Sequence, residues 1–228
     1  MDVAVAASKS PVIADLIPTC VEAFGAARHL LVEVRTGVSK MVVRGGRLDS
    51  ALLDAQQFAV HGYAWVATYV AGLQQMLAWA ERLESEGRLS ELEQLMLQAA
   101  YGEYLSQIAG GIPMTQVEWV RPRDMGVSEA ALQAFHTPAV SRLIADGNTD
   151  AVRMRIAQLI ADGNFGDLGI DETLGMIRDQ FRRFSEEKVI PFAHGWHERD
   201  ELIPMEIIEE MAELGVFGLT IPEQYGGL

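Results

Sequence analysis

Basic residues are scarce in this 228-residue chain: 18 Lys and Arg stand against 32 Asp and Glu, a formal charge of −14. That balance excludes nucleic-acid binding, because neutralising phosphates takes clustered cations. Cysteine is scarcer still. With Cys20 alone no internal disulfide can form, and its place in the series Val12, Leu16, Ile17, Cys20, Phe24, Ala27, Leu31 predicts a buried, inert thiol. No basic stretch followed by a long apolar run opens the chain, so a secretory signal is not visible and a cytoplasmic location is expected. The one long uncharged run, 55–80, is interrupted by Gln56, Gln57, His61, Gln74 and Gln75. It leaves no piece of the ~20 apolar residues that a membrane span needs, and reads instead as a long, mostly buried helix.

Complete catalytic or metal motifs are missing too. There is no Gly-x-Gly-x-x-Gly fingerprint and no phosphate loop. Asp146-x-Asn148-x-Asp150 opens like a calcium loop, but Ala151 stands where the sharp turn needs glycine and Ala157 where a bidentate Glu belongs. Helix capping explains those residues. Ser185 and Lys188 share the spacing of a Ser-x-x-Lys nucleophile without its companion motifs. His194, His197 and Glu198 could meet on one helical face, yet spacing supplies no further ligand, so no metal is expected. The group Trp65, Tyr69 and Trp79 lies at helical spacing and reads as core.

What is present is a globular, helix-forming sequence, 49% hydrophobic. Ser10-Pro11 reads as a cap and first turn of a helix running to about Val34, with Arg35-Thr36-Gly37 and Gly45-Gly46 punctuating the connection after it. Asp49 caps a long helix to Glu86-Gly87, with Leu53, Trp65, Tyr69, Leu73, Met76 and Leu77 along one side. Ser90-Glu-Leu-Glu93 is a capping box for a helix ending near Gly110-Gly111. A loop over 112–126 precedes shorter helices, one starting at Thr137-Pro138. Leu143-Ile-Ala-Asp-Gly-Asn148 recurs as Leu159-Ile-Ala-Asp-Gly-Asn164; Gly147 and Gly163 are read as left-handed helix stops. Asp171 caps a helix carrying Ile177, Phe181 and Phe184, which Pro191 should kink or interrupt. Pro204 opens another, with Ile207, Ile208, Met211 and Leu214 inward and Gly215 as its stop; a small extended segment and a Pro/Tyr-Gly-Gly loop come next. The fold class is all-α, a helical bundle over 1–165 followed by a second helical domain over 166–228, divided at the glycine-rich stretch Asn164–Gly169.

The second domain carries the informative residues. Asp179-Gln-Phe-Arg-Arg-Phe-Ser-Glu-Glu-Lys-Val-Ile-Pro191, then His194-Gly-Trp-His-Glu198, Ile203-Pro204 and Met211-Ala-Glu-Leu-Gly-Val-Phe-Gly-Leu-Thr-Ile-Pro-Glu-Gln-Tyr-Gly-Gly-Leu228 follow one another without a gap in order. This series resembles the N-terminal helical domain of the flavin-dependent acyl-CoA dehydrogenases. The resemblance covers about the last sixty residues. It implies oxidation of an acyl-CoA thioester to its α,β-enoyl form, a glutamate base, FAD as hydride acceptor, an electron-transferring flavoprotein as redox partner, and a dimer or tetramer. The family's base and most flavin contacts lie downstream, so no catalytic residue is assigned; Tyr225, Gly226 and Gly227 are the substrate-binding candidates, at the rim of the acyl-CoA and flavin pocket. A tight turn is the competing role for them. The long extension departs from most of the family. It resembles a branch acting on short, branched dicarboxylic acyl-CoA esters, and is expected to pack beside the dehydrogenase body and restrict the pocket or its solvent access. Ending on an apolar loop residue, the chain reads as truncated and inactive alone. A non-catalytic helical scaffold carrying a dehydrogenase-like segment is the other reading.

Overall fold

The computed structural model describes residues 10–227. Leu228, the last residue of the motif above, lies outside them, as do the first nine residues on which the reading of a missing secretory signal rests. Two compact units divide the chain, Met1–Gly169 and Ile170–Leu228. Among the described residues the architecture is helical, with only two two-residue hairpins. No helix there is long and apolar enough to cross a membrane.

The first unit is built on α1 (Leu16–Val42), which packs against α3 (Gln57–Ser85), α4 (Glu91–Gly110), α5 (Glu129–Phe135) and α6 (Pro138–Asp146). Helix α1 starts later and ends later than its caps suggest. Residues before it are tied down by buried Gln98, whose Oε1 accepts from Ile13 N (2.9 Å) and whose Nε2 donates to Pro11 O (3.2 Å). Pro18 then falls in the first turn, where a missing N–H costs nothing. Gly37 does not end the helix. An added Cβ there would lie 2.2 Å from the Met125 carbonyl oxygen, so glycine is the residue that lets α1 touch the 3-10 turn Pro122–Met125. Cys20 is fully buried, and burial pushes its thiol up to about 12. The inert-thiol reading stands.

Gly45 and Gly46, both with positive φ, close the hairpin of β1 (Val43–Arg44) and β2 (Arg47–Leu48) as a two-residue turn. Asp49 does accept from Leu52 N (3.1 Å), but it caps only the short α2 (Ser50–Ala55) before a break at Gln56. Helix α3 buries Ala59, Gly62, Val66, Val70, Leu73 and Leu77. The sequence reading placed Trp65 and Tyr69 inward; the structure turns Trp65 out, 39% exposed, and leaves Tyr69 half-buried. The indole lies along the helix surface, its Nε1 donating to His61 Nε2 (2.8 Å) and its ring meeting Tyr69 edge-on. The run 55–80 is therefore buried on one face and open on the other.

In α4 the capping box forms: Ser90 N donates to Glu93 Oε2 (3.1 Å). Past it, β3 (Ile112–Pro113) and β4 (Trp119–Val120) form the second hairpin inside the expected loop. Thr137 caps α6 through Val140 N (3.2 Å), as its Thr-Pro start predicts. The two glycine stops differ. Gly163 is left-handed (φ 87), ending α7 (Asp150–Ala161), whereas Gly147 is right-handed (φ −71) and a Cβ there would lie 2.5 Å from Gln98 O on α4. Gly147 is a close-approach residue. The calcium-like triplet holds no ion geometry: Asn148 donates to Glu103 (3.0 Å), Arg153 pairs with Asp150, and Thr149 caps α7 through Val152 N (3.3 Å). Arg155 grips Glu91 with Nε at 3.0 Å and Nη2 at 2.5 Å, fastening α7 to α4.

The glycine-rich stretch is not slack. Asp167 N donates to Glu93 Oε1 (2.6 Å), Trp79 Nε1 donates to the Asp167 carbonyl (3.0 Å), and the Asp167 carboxylate takes Arg88 Nε and Nη2 at 2.8 and 2.6 Å. The Gly169 N–H (2.8 Å) and the Arg88 guanidinium hold that carboxyl below its usual range. A depressed carboxyl pKa contributes stability above the unfolded value of about 3.9 and loses it as pH falls through the folded one. Asp167→Asn should therefore lower Tm at neutral pH, with the gap to wild type closing as pH falls below the unfolded value of about 3.9 and through the folded one. A gap independent of pH in thermal melts would refute this role.

Candidate functional site

The second unit contains the residues singled out for function. Helix α8 (Glu172–Phe184) begins on Asp171, whose Oδ1 accepts from Leu174 N (2.8 Å). Pro191 does not stop the chain's helical course. Residues Ser185–Val189 widen into a π turn in which Ile190 N–H reaches back five residues to Ser185 O, and α9 (Ile190–Glu198) continues. A proline ring collides with the carbonyl four residues back in an α-helix; the wider turn relieves that collision at Glu187. Sequence reasoning registered Pro191 as a kink and missed this turn. Lys188 Nζ then reaches Glu210 (3.1 Å to Oε2), joining the π turn to α10 (Met205–Glu213).

His194 Nε2 and Glu198 Oε1 meet at 3.2 Å, both well exposed. Among the described residues no cluster of three His, Cys, Asp or Glu side chains is placed to hold a metal. Ile207, Ile208, Met211 and Leu214 form the less exposed side of α10, and Gly215 ends it in a left-handed conformation (φ 79). The small extended segment read after it is instead a 3-10 turn, Val216–Gly218, closed by Gly218 N to Gly215 O (2.9 Å). The backbone satisfies itself locally, so no strand partner is needed.

Tyr225, Gly226 and Gly227 lie together in the closing loop. Tyr225 N donates to Pro222 O (2.8 Å) and Gly226 N to Glu223 O (2.9 Å), forming one 3-10 turn. Gly226 is left-handed (φ 85), and a Cβ on Gly227 would fall 1.6 Å from the Ile221 carbonyl oxygen. Both glycines have a backbone reason to be glycine. The Tyr225 ring projects, 74% exposed. No described residue of this unit is buried, while Phe192, Leu202, Ile203, Met205 and Phe217 are each more than half exposed. Among the described residues of the chain, no buried side-chain N or O atom lacks a partner.

The same segment has a recognisable pattern. Residues 171–228 match the family described as acyl-CoA dehydrogenase, N-terminal domain. The chain carries an acyl-CoA dehydrogenase N-terminal domain. That acyl-CoA dehydrogenase domain begins at the residue that caps α8. The likeness to one acyl-CoA dehydrogenase extends much further: the chain is 51% identical over 221 residues, 95% of its length, to (2S)-methylsuccinyl-CoA dehydrogenase of Cereibacter sphaeroides. Glutaryl-CoA dehydrogenase of Desulfococcus multivorans and benzylmalonyl-CoA dehydrogenase of Aromatoleum aromaticum are each 38% identical over 61 residues, 27% of this chain and 16% of theirs. The chain spans 40% of the length of the Cereibacter relative it matches.

Proposed function

We propose that these 228 residues are the N-terminal part of a flavin-dependent acyl-CoA dehydrogenase that converts (2S)-methylsuccinyl-CoA to mesaconyl-CoA. The observation that carries this reading is the 51% identity over 95% of the chain, which takes in the helical extension as well as the dehydrogenase domain. FAD, when bound in the complete enzyme, supplies the acceptor for the β-hydride, and a glutamate outside this chain removes the α-proton. Tyr225, Gly226 and Gly227 are assigned to the rim of the acyl-CoA pocket: Tyr225 is free of packing and the glycines let backbone approach closely. An electron-transferring flavoprotein in the cytoplasm would take up the electrons.

The test is expression of the complete coding sequence, followed by a flavin absorbance spectrum and an assay of acyl-CoA oxidation with an artificial electron acceptor. A yellow protein that oxidises (2S)-methylsuccinyl-CoA in preference to unbranched acyl-CoA esters is expected. A colourless product that oxidises no acyl-CoA would overturn the reading and favour a helical scaffold.

A further inference from the structure

The chain's excess of acid is not evenly spread. Residues 34–48 contain Arg35, Lys40, Arg44 and Arg47 and no Asp or Glu, so this stretch is positive in a chain of net charge −14. It takes in the end of α1 and the β1–β2 hairpin, and all four side chains are exposed. Cations near a helix C-terminus have an ordinary role, offsetting the partial negative charge of the last carbonyls. Here Arg44 fills it, its Nη1 donating to the carbonyls of Lys40 (3.0 Å) and Val43 (2.9 Å). Arg35 stands too far back to share that role, since the effect fades beyond the last turn. Elsewhere cations are matched: Arg88, Arg153, Arg155, Lys188 and Arg199 each pair with a carboxylate. Among the described residues Arg35 and Lys40 pair with none.

What these two cations share is a groove. An open groove of about 490 Å³ along α1 is lined by Val32, Arg35, Thr36, Ser39, Lys40 and Val43. Residues 32, 36, 39 and 43 follow one another at helical spacing and form its floor, while Arg35 and Lys40 stand on opposite rims. No carboxylate lines it. The Thr36 hydroxyl is committed to the Val32 carbonyl (2.8 Å), which leaves Ser39 as the hydroxyl open to a ligand. A guanidinium fork, an ammonium point charge and a neutral O–H converging on one space suit the several oxygens of a phosphate group. Arg44 and Arg47 add positive potential beside it. Val32, 59% exposed, offers an apolar rest at one end of the floor and Val43 at the other. The strongly acidic remainder of the chain repels an extended polyanion, so the groove favours a small one.

We propose that this groove on α1 binds small phosphate-bearing anions, held between Arg35 and Lys40 with Ser39 donating from the floor. The test is a titration of the isotope-labelled chain with inorganic phosphate and, separately, with adenosine monophosphate, followed by NMR against sodium chloride of matched ionic strength. Saturable shifts centred on Arg35, Thr36, Ser39 and Lys40 are expected with both phosphates. Tighter binding of adenosine monophosphate identifies an organic phosphate resting on the valines as the natural ligand; equal affinity identifies phosphate itself. Arg35→Gln and Lys40→Gln should each weaken binding by about threefold, the scale of one exposed ion pair, and together by about tenfold. Arg28→Gln, a cation of the same helix outside the groove, should leave it unchanged. These side chains are exposed, so circular dichroism should show unchanged helix content in every variant. Shifts that never saturate, that spread equally to Arg28 and Arg142, or that persist in the double variant would each overturn the proposal.

Discussion

Gly37→Ala is expected to destabilise the first unit by roughly 2–3 kcal/mol, the range of an overpacked contact. Helix propensity alone says the reverse: alanine inside an exposed helix is favoured over glycine by about 1 kcal/mol. The two effects compete at one atom, and geometry decides. Gly37 lies within α1, buried, where a Cβ would stand 2.2 Å from the Met125 carbonyl oxygen and 3.1 Å from Gly126 Cα. Those neighbours are backbone, not a flexible side-chain end, and Gly126 is itself left-handed (φ 78), so the turn cannot slide aside cheaply. Urea unfolding of the variant measures the sign directly. A gain in stability would mean that the turn around Met125 is free to move.

Glu93→Ala carries the second large effect. This carboxylate is 1% exposed and accepts from Ser90 N at the head of its own helix and from Asp167 N, seventy-four residues on. Truncation leaves both donors without their acceptor in a part-buried site, a loss on the order of 2 kcal/mol. The effect should be local before it is global. The Asp167 and Gly169 amides should exchange hydrogen much faster in the variant, while those in the middle of α1 and α3 keep most of their protection. Uniformly faster exchange across the unit would show instead that Glu93 supports the whole bundle.

Much of this was legible in the sequence where a residue has one dominant preference. Asp171, Ser90 and the Thr137-Pro138 pair cap helices as read, Gly163 is left-handed as read, and Gly45-Gly46 and Gly215 break the chain where they were read to do so. The misreadings share a cause: a local signal was overruled by a contact distant in sequence. Gly37 and Gly147 look like stops, but each is small for the sake of a backbone across the bundle. Trp65 looks like core, but the face that α3 buries runs through Gly62, Val66 and Val70 and leaves the indole outside it. Gln98, in the middle of α4, gives no local hint that it holds residues 11 and 13. At Tyr225–Gly227 the family pattern was visible, while the reason for each glycine was not, because Ile221 O faces Gly227 only once two successive turns have formed.

The unequal burial of the two units also has a consequence in time. Every residue of the described core lies between Ile13 and Val152, so the first unit holds all it needs to close before the second has left the ribosome. At synthesis rates of about 5–20 residues per second, the second unit's residues take several seconds to emerge, far longer than a helical bundle of local contacts needs to fold. The nascent chain would then present a finished, folded head while its second unit, with its exposed apolar side chains, is still being made. Vectorial synthesis thus separates the folding of the two halves.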